Sequence, residues 1–365
     1  TTPSNHGIVA NDWYDYQQNK ELNCVYDSVA QTVGSVANKG MFGPKRLKVN
    51  TLTDQLKMTK SGSKIISMSI KNRGAILPGG HLSDGTYWFD ETNGKFITST
   101  FFTNKLPTWV EQFNNNGKSA TYSSSVWNTY FDIDQYTESI ADDNPYEHLL
   151  GSSKTPTFPY DLKKISTKEN RFALMLSTPY GNTILNDLAI EAIKEEELGK
   201  DKITDFLAIS FSSPDLIGHS FGPQSKEIQD TYIRLDRELE RLFKELDKEV
   251  GEGEYIVFLT ADHAVVPVPQ YLVDQNLPGG YVFMKEPTQQ INDALKLKYG
   301  KELIEYSTNM NFYLDRQYIA DQNINQVEVD QFIIAELMKI KGIKRAYSRE
   351  QLLNGCGDKW FDMVR

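Results

Sequence analysis

Cysteine is nearly absent: Cys24 and Cys356 are the only two in 365 residues. Two cysteines without CxxC spacing cannot build a disulfide framework, and they leave the redox compartment open. Long apolar runs are missing as well. The longest, such as "YIVFLT" and "KIISMSI", are strand-sized and far below the roughly 20 residues needed to cross a bilayer, so no membrane span is expected. Runs of Lys and Arg are equally scarce, and the net charge is −10. A phosphate backbone would be repelled, so nucleic acid is not an expected partner. Internal repeats and low-complexity tracts are lacking too.

What is present describes an ordinary globular chain. Apolar residues make up 39% and aromatics 12%, a content that disordered chains do not reach. The length allows one large domain or two ordinary ones. The chain opens without Met on the turn-rich "TTPSNHG" and stops on the apolar "NGCGDKWFDMVR". A removed leader or a fragment is the expectation at both ends.

Along the chain, Thr51 or Thr53 can cap a helix through about Lys60, and "KIISMSI" follows as a strand leading into Lys71, Asn72 and Arg73. "TYWFDETNGKFITSTFF" reads as a hairpin across Thr92-Asn93-Gly94, and "PTWVEQFNNNGKSA" as a short helix ending near Gly117. Ile184, Leu185, Leu188, Ile190 and Ile193 set a helix, "DFLAISFS" a strand, and Ile228 to Leu246 a long amphipathic helix. "EYIVFLT" supplies a further strand. Helices alternating with near-continuous apolar strands predict an α/β fold, a mostly parallel sheet covered by helices on both faces. Residues 1–79 and 171–270 form its core parts. Residues 80–170 are an inserted cap or lid, or else an irregular loop layer; 271–350 are a small α+β insertion, and 351–365 return towards the core.

Two expected strand ends each carry an Asp and a His. "FLAISFSSPDLIGH" gives Asp215 and His219, and "YIVFLTADH" gives Asp262 and His263. In such sheets ligands gather at the carboxyl ends of strands, and carboxylate with imidazole suits Zn²⁺ or a related divalent ion. The stretch from Asp215 to His219 is one helical turn or a tight loop; either reaches one ion. Singly, Asp after Pro is also a common cap or turn residue, and His can simply pack. Lys71 and Arg73 stand two apart, on one side if the strand continues. They suit a phosphoryl or sulfuryl group, or are ordinary charge on an exposed loop. His6, His81 and His148 lack a convincing partner and are left out.

These residues also resemble a known family. "SSPDLIGHSFGP" followed by "FLTADHA" resembles the alkaline phosphatase superfamily, in the branch of type I phosphodiesterases and nucleotide pyrophosphatases. "TTPSNHGIVANDWYD" and "SIKNRGAILPGGH" are similar to the phosphate-irrepressible, monoester-preferring alkaline phosphatases of Bacteroidetes-type bacteria. The resemblance covers nearly the whole chain. It implies a periplasmic or secreted, monomeric hydrolase of small phosphate monoesters with two zinc ions and a phosphothreonine intermediate. Asp215 and His219 would belong to one zinc, Asp262 and His263 to the other, and Lys71, Arg73 and Asn11 would contact the phosphoryl group. A strand ending in a metal-binding Asp and a Thr nucleophile are expected upstream of Thr1, and a further His ligand beyond Arg365. Each zinc keeps only two ligands here, so this stretch by itself is expected to be inactive. A phosphodiesterase of the same superfamily and a non-catalytic module holding a phosphorylated ligand are the alternatives. A sulfatase is disfavoured because no Cys/Ser-x-Pro-x-Arg sequence is present.

Overall fold

The computed structural model describes residues 2–355. Cys356 and the rest of 356–365, the larger part of the expected return at 351–365, lie outside them. The chain divides into two compact units, residues 1–11 with 23–268, and residues 12–22 with 269–365.

The first unit is built on a five-stranded sheet. Its strands are β1 (Thr32–Val33), β2 (Ile65–Ser69), β3 (Gly85–Asp90), β4 (Lys95–Ser99) and β5 (Phe206–Ser210), in the order β1-β4-β3-β2-β5. β2 pairs in parallel with β3 and with β5, whereas β4 pairs antiparallel with β3 and with β1. The α/β class is therefore right and the sheet is mixed. The hairpin expected within a cap is β3 and β4, the antiparallel half of the central sheet, so residues 85–99 belong to the core.

Alternation along β2 sorts its neighbours. Ile66, Met68 and Ile70 join a large apolar core with α3 (Thr108–Asn114) and α4 (Tyr180–Glu195). Within it Ile184, Leu185, Leu188 and Ile193 of α4 are fully buried. The opposite face presents Ser67 and Ser69 to α2 (Asn72–Gly79), where the Ser67 hydroxyl donates to Ala75 O at 2.6 Å. α1 (Leu52–Thr59) precedes β2 and starts at the expected Thr51 cap, a capping box with Asp54.

Small residues let α2 approach this closely. A Cβ added to Gly74 would stand 2.6 Å from Ser69 Oγ and 2.9 Å from Ser210 Oγ, with no flexible side-chain end to yield. Gly74→Val is expected to destabilise the unit by about 2 kcal/mol, read as a lowered urea midpoint, with Gly74→Ser intermediate.

The long amphipathic helix is α6 (Lys226–Glu249), preceded by α5 (Ser213–Phe221). Of its expected apolar stripe, Leu242 is buried and Tyr232 is 56% exposed. Its inner face is instead partly polar, with Glu227, Asp230 and Thr231 buried. Asp230 is the hub: it accepts from Trp127 Nε1 at 2.7 Å, Tyr130 N at 2.6 Å, Arg234 Nε at 2.6 Å and the Tyr136 hydroxyl.

The expected strand in "EYIVFLT" does not form: residues 255–260 make no ladder, and Ile256 and Phe258 are 82% and 81% exposed. β5 is the last strand of the described sheet on that side. An apolar run becomes a strand only where a ladder partner meets its N–H and C=O groups, and among the described residues this run has none.

In the second unit α7 (Lys285–Tyr299) and α8 (Gln326–Leu337) bury Ile291, Leu295, Val329 and Ile333 against a hairpin. Its strands, β6 (Ile304–Thr308) and β7 (Asn311–Leu314), turn through Asn309 and Met310, both at positive φ, the two-residue geometry that matches strand twist. Tyr14 stacks on Tyr306 with ring centroids 4.9 Å apart. Among the described residues, no helix is long and apolar enough to cross a membrane.

Candidate active site and metal centre

The segment from Ser213 to Phe221 is helical, so the open choice between helix and loop resolves to a turn of α5. Pro214 sits in the first turn, where its missing N–H costs nothing, and Gly222 at φ 79° closes the far end. Asp215 and His219 thus share one helix face, with His219 Nε2 3.3 Å from Asp215 Oδ1. His263 comes to the same oxygen from the irregular segment after Thr260, its Nε2 at 3.7 Å.

Lys71 approaches from the other side. β2 ends at Ser69 and α2 begins at Asn72, so Lys71 is the cap residue of a helix and Arg73 lies inside its first turn. The expected strand-like pairing of the two does not hold, but both remain at the carboxyl end of β2. The Lys71 ammonium pairs with Asp215 Oδ2, and its backbone N–H donates to Ser69 Oγ at 3.1 Å. Ser69 Oγ lies 3.2 Å from Ser212 Oγ. These two serines anchor the rim, and sequence reading passed over them; their only signal was small polar residues placed at strand ends.

Charge at the site is balanced around Asp215. Burial pushes its carboxyl up, but the Lys71 ammonium and then the imidazoles of His219 and His263 outweigh burial and hold it below the usual carboxylate range. The Arg73 guanidinium is half-buried and, among the described residues, has no ion-pair partner. Such a cation is suited to a doubly charged ligand.

The donor set fits zinc in part. Zinc takes imidazole nitrogen and carboxylate oxygen at roughly 2.0–2.2 Å in a tetrahedron, and the 3.3 Å between His219 Nε2 and Asp215 Oδ1 follows from that geometry. His263 Nδ1 lies 2.9 Å from Ala264 O. A proton on Nδ1 is held there, which leaves Nε2 as the nitrogen available to a metal. Asp262 fits less well: it is 92% exposed, with Oδ2 3.8 Å from His263 Nε2. Among the described residues no three His, Cys, Asp or Glu side chains already close on a common point.

Asn11 is not brought to this cluster by any contact of its side chain. It is exposed, and its backbone oxygen accepts from Cys24 N at 2.8 Å. His81, left out of the site, packs as a structural residue, with ring nitrogens 3.0 Å from Asp54 Oδ2 and 3.0 Å from Leu47 O.

The sequence model of the type I phosphodiesterase / nucleotide pyrophosphatase family matches residues 1–352. Alkaline phosphatase PafA of Elizabethkingia meningoseptica is 42% identical over 356 residues, covering 96% of this chain and 65% of the relative. Alkaline phosphatase PhoV of Synechococcus elongatus is 42% identical over 348 residues, covering 95% of this chain and 62% of the relative. The crystal structure of wild-type PafA superposes with a TM-score of 0.93 at 41% identity, over 98% of this chain and 69% of that one. The chain thus spans less than two thirds of the length of these two curated relatives. With the match running over almost all of its residues, the chain belongs to the type I phosphodiesterase / nucleotide pyrophosphatase family.

Proposed function

We propose that this chain carries the phosphoryl-binding and part of the metal-binding machinery of a phosphate monoester hydrolase of the alkaline phosphatase kind. One observation carries the reading: Asp215, His219, His263 and Lys71 converge at the carboxyl ends of β2 and β5, with Arg73 alongside. The similarity to PafA and PhoV, both named alkaline phosphatases, supports it.

In this reading Asp215 and His219 hold one zinc ion, and His263 with Asp262 holds a second. Bound zinc supplies Lewis acidity, lowering the pKa of a hydroxyl nucleophile and stabilising the leaving oxygen. The chain's own part is positioning. Lys71, anchored through its backbone at Ser69, and Arg73, at the start of α2, take the phosphoryl oxygens, where the first N–H groups of a helix also favour an anion. Asn11 is a third contact in the same proposal. Small soluble phosphate monoesters, a periplasmic or secreted location and a monomeric state complete it.

The family description favours a second reading, a phosphodiesterase. A monoester presents more negative charge than a diester, so removing a cation should cost the monoester more. In the intact protein, Arg73→Ala is expected to lower kcat/KM for p-nitrophenyl phosphate on the order of 10²-fold and to change turnover of bis-p-nitrophenyl phosphate much less. Equal losses on both, with the diester preferred by the unaltered protein, would replace the monoesterase reading by the diesterase one.

A further inference from the structure

The ends of β2 and β5 are joined by more than strand pairing. In the parallel ladder Ser69 stands opposite Ser210, the last residue of β5. Ser69 is fully buried, and its hydroxyl meets three separate stretches of backbone. It donates to Ser210 O at 3.0 Å, accepts from Lys71 N at 3.1 Å and lies 3.2 Å from Ser212 Oγ. A serine hydroxyl has one proton and two lone pairs. The proton is spent on Ser210 O, so Ser212 is the donor in the third contact; its other acceptor, Ser210 O, is farther off at 3.5 Å. Ser69 Oγ is therefore saturated, with one bond given and two received.

Two of these partners begin the two helices of the site. Lys71 is the cap residue of α2, and its carbonyl accepts from Ala75 N at 3.2 Å. Ser212 is the cap residue of α5, and its carbonyl accepts from Leu216 N at 3.3 Å. A serine at a helix cap ordinarily turns its hydroxyl onto the first N–H groups of its own helix. Ser212 makes no such bond, and its hydroxyl meets Ser69 instead. One oxygen thus fixes both the backbone of Lys71 and the start of the helix that carries Asp215 and His219. Ser67, two residues earlier on the same face, gives its hydroxyl to Ala75 O, within α2.

Gly74 closes over this junction. An added Cβ there would stand 2.6 Å from Ser69 Oγ and 3.1 Å from Ser69 Cβ. The hole left by one hydroxyl oxygen under such cover is too small for a water molecule to take its place. Without Ser69 Oγ, the Lys71 N–H and the Ser212 hydroxyl lose their shared partner, and the ends of β2 and β5 are held by the ladder alone.

We infer that Ser69 is a positioning residue of the site: through one buried hydroxyl it sets the Lys71 arm against the Asp215 arm, and so aims Lys71 at a phosphoryl oxygen. The inference rests on the phosphoryl-transfer reading above and adds to it a group that acts on substrate only through Lys71. A small error in aim is costly, because a cation that meets the developing charge off its line stabilises the transition state less than the ground state requires.

In the intact protein, Ser69→Ala is expected to lower kcat/KM for p-nitrophenyl phosphate about tenfold and to change turnover of bis-p-nitrophenyl phosphate much less. Calorimetry should show the binding of inorganic phosphate weakened as well. The deciding comparison is a double-mutant cycle with Lys71→Ala. Lys71→Ala alone should cost more than Ser69→Ala, and adding Ser69→Ala to it should change kcat/KM by less than about twofold, because the group to be aimed is gone. A merely structural role would multiply the two losses and lower both substrates alike. Circular dichroism and urea midpoints show whether each variant is folded. If Ser69→Ala does not fold, Ser212→Ala breaks the same junction from the α5 side and goes through the same cycle, with a loss of about threefold expected. The proposal is overturned if Lys71→Ala is costly while Ser69→Ala is silent, or if the two losses multiply. Lys71→Ala without effect on the monoester brings down the phosphoryl-transfer reading itself, and the role of Ser69 with it.

Discussion

Asp215→Asn in the intact protein is expected to lower kcat/KM for p-nitrophenyl phosphate on the order of 10³-fold, about 4 kcal/mol of transition-state stabilisation. The size follows from how many groups this one carboxylate organises. Oδ2 receives the Lys71 ammonium, while Oδ1 faces His219 at 3.3 Å and His263 at 3.7 Å. An amide in its place is uncharged and offers a single acceptor oxygen, so it cannot serve both a metal ion and the ammonium. Lys71 then loses the group that aims it. Steady-state kinetics and zinc content measured on the same preparation check the expectation. A loss below tenfold with zinc content unchanged would remove Asp215 from the proposed metal centre.

The largest effect on stability is expected at Asp230. Its carboxylate is fully buried and unites an indole N–H, a backbone N–H, a phenol and a guanidinium. Burial first, and then the bond to Asp230, pushes the Tyr136 phenol up to about 12, so it stays a donor at every ordinary pH. Asp230→Ala leaves four donors without their acceptor, and the Arg234 charge without its partner. Breaking a buried pair from one side costs about 3–5 kcal/mol, and the orphaned donors place this case at the upper end. Urea denaturation followed by tryptophan fluorescence reads it. Asp230→Asn, which keeps the volume and one acceptor, should recover part of the loss; equal loss in both variants would mean that the negative charge, not a single acceptor, carries the effect.

Much of this architecture was written in local pattern. Thr51 or Thr53 announced a helix start, and the apolar spacing of Ile184 to Ile193 announced a buried helix. Each such signal is read within one turn or one hairpin. The misreadings arose where the decisive partner lies far along the chain. β3 and β4 were assigned to a cap because nothing local says that β3 pairs with β2; that contact joins Ser69 to Trp88. "EYIVFLT" has strand propensity and still forms no strand, because propensity supplies no ladder.

The site shows the same division. Asp215 and His219 were legible because four residues of helix bring them together, and His263 because it follows a strand-like run, although its approach to Asp215 does not depend on that strand forming. Lys71 and Arg73 were picked out as candidates at a strand end, but the strand-like spacing read for them gives way to a helix start. A helix beginning at Asn72 needs Gly74 against Ser69 and Ser210, and the sequence does not display that close approach. Ser69, Ser212 and Gly74 are silent for the same reason: small residues signal chemistry only after their neighbours are known.

The bond between Lys71 and Asp215 has a kinetic consequence. The Lys71 ammonium has three N–H donors, but charge spent on Asp215 draws less on a phosphoryl oxygen, so a cation taking over Asp215 would free more of it for substrate. In the proposed site, metal loading and phosphate affinity would then be linked through one side chain, and reciprocally so. Stripped of metal, the protein would keep its positive charge occupied internally and attract free phosphate weakly, which guards a partly loaded site against being blocked by the product of its own proposed reaction.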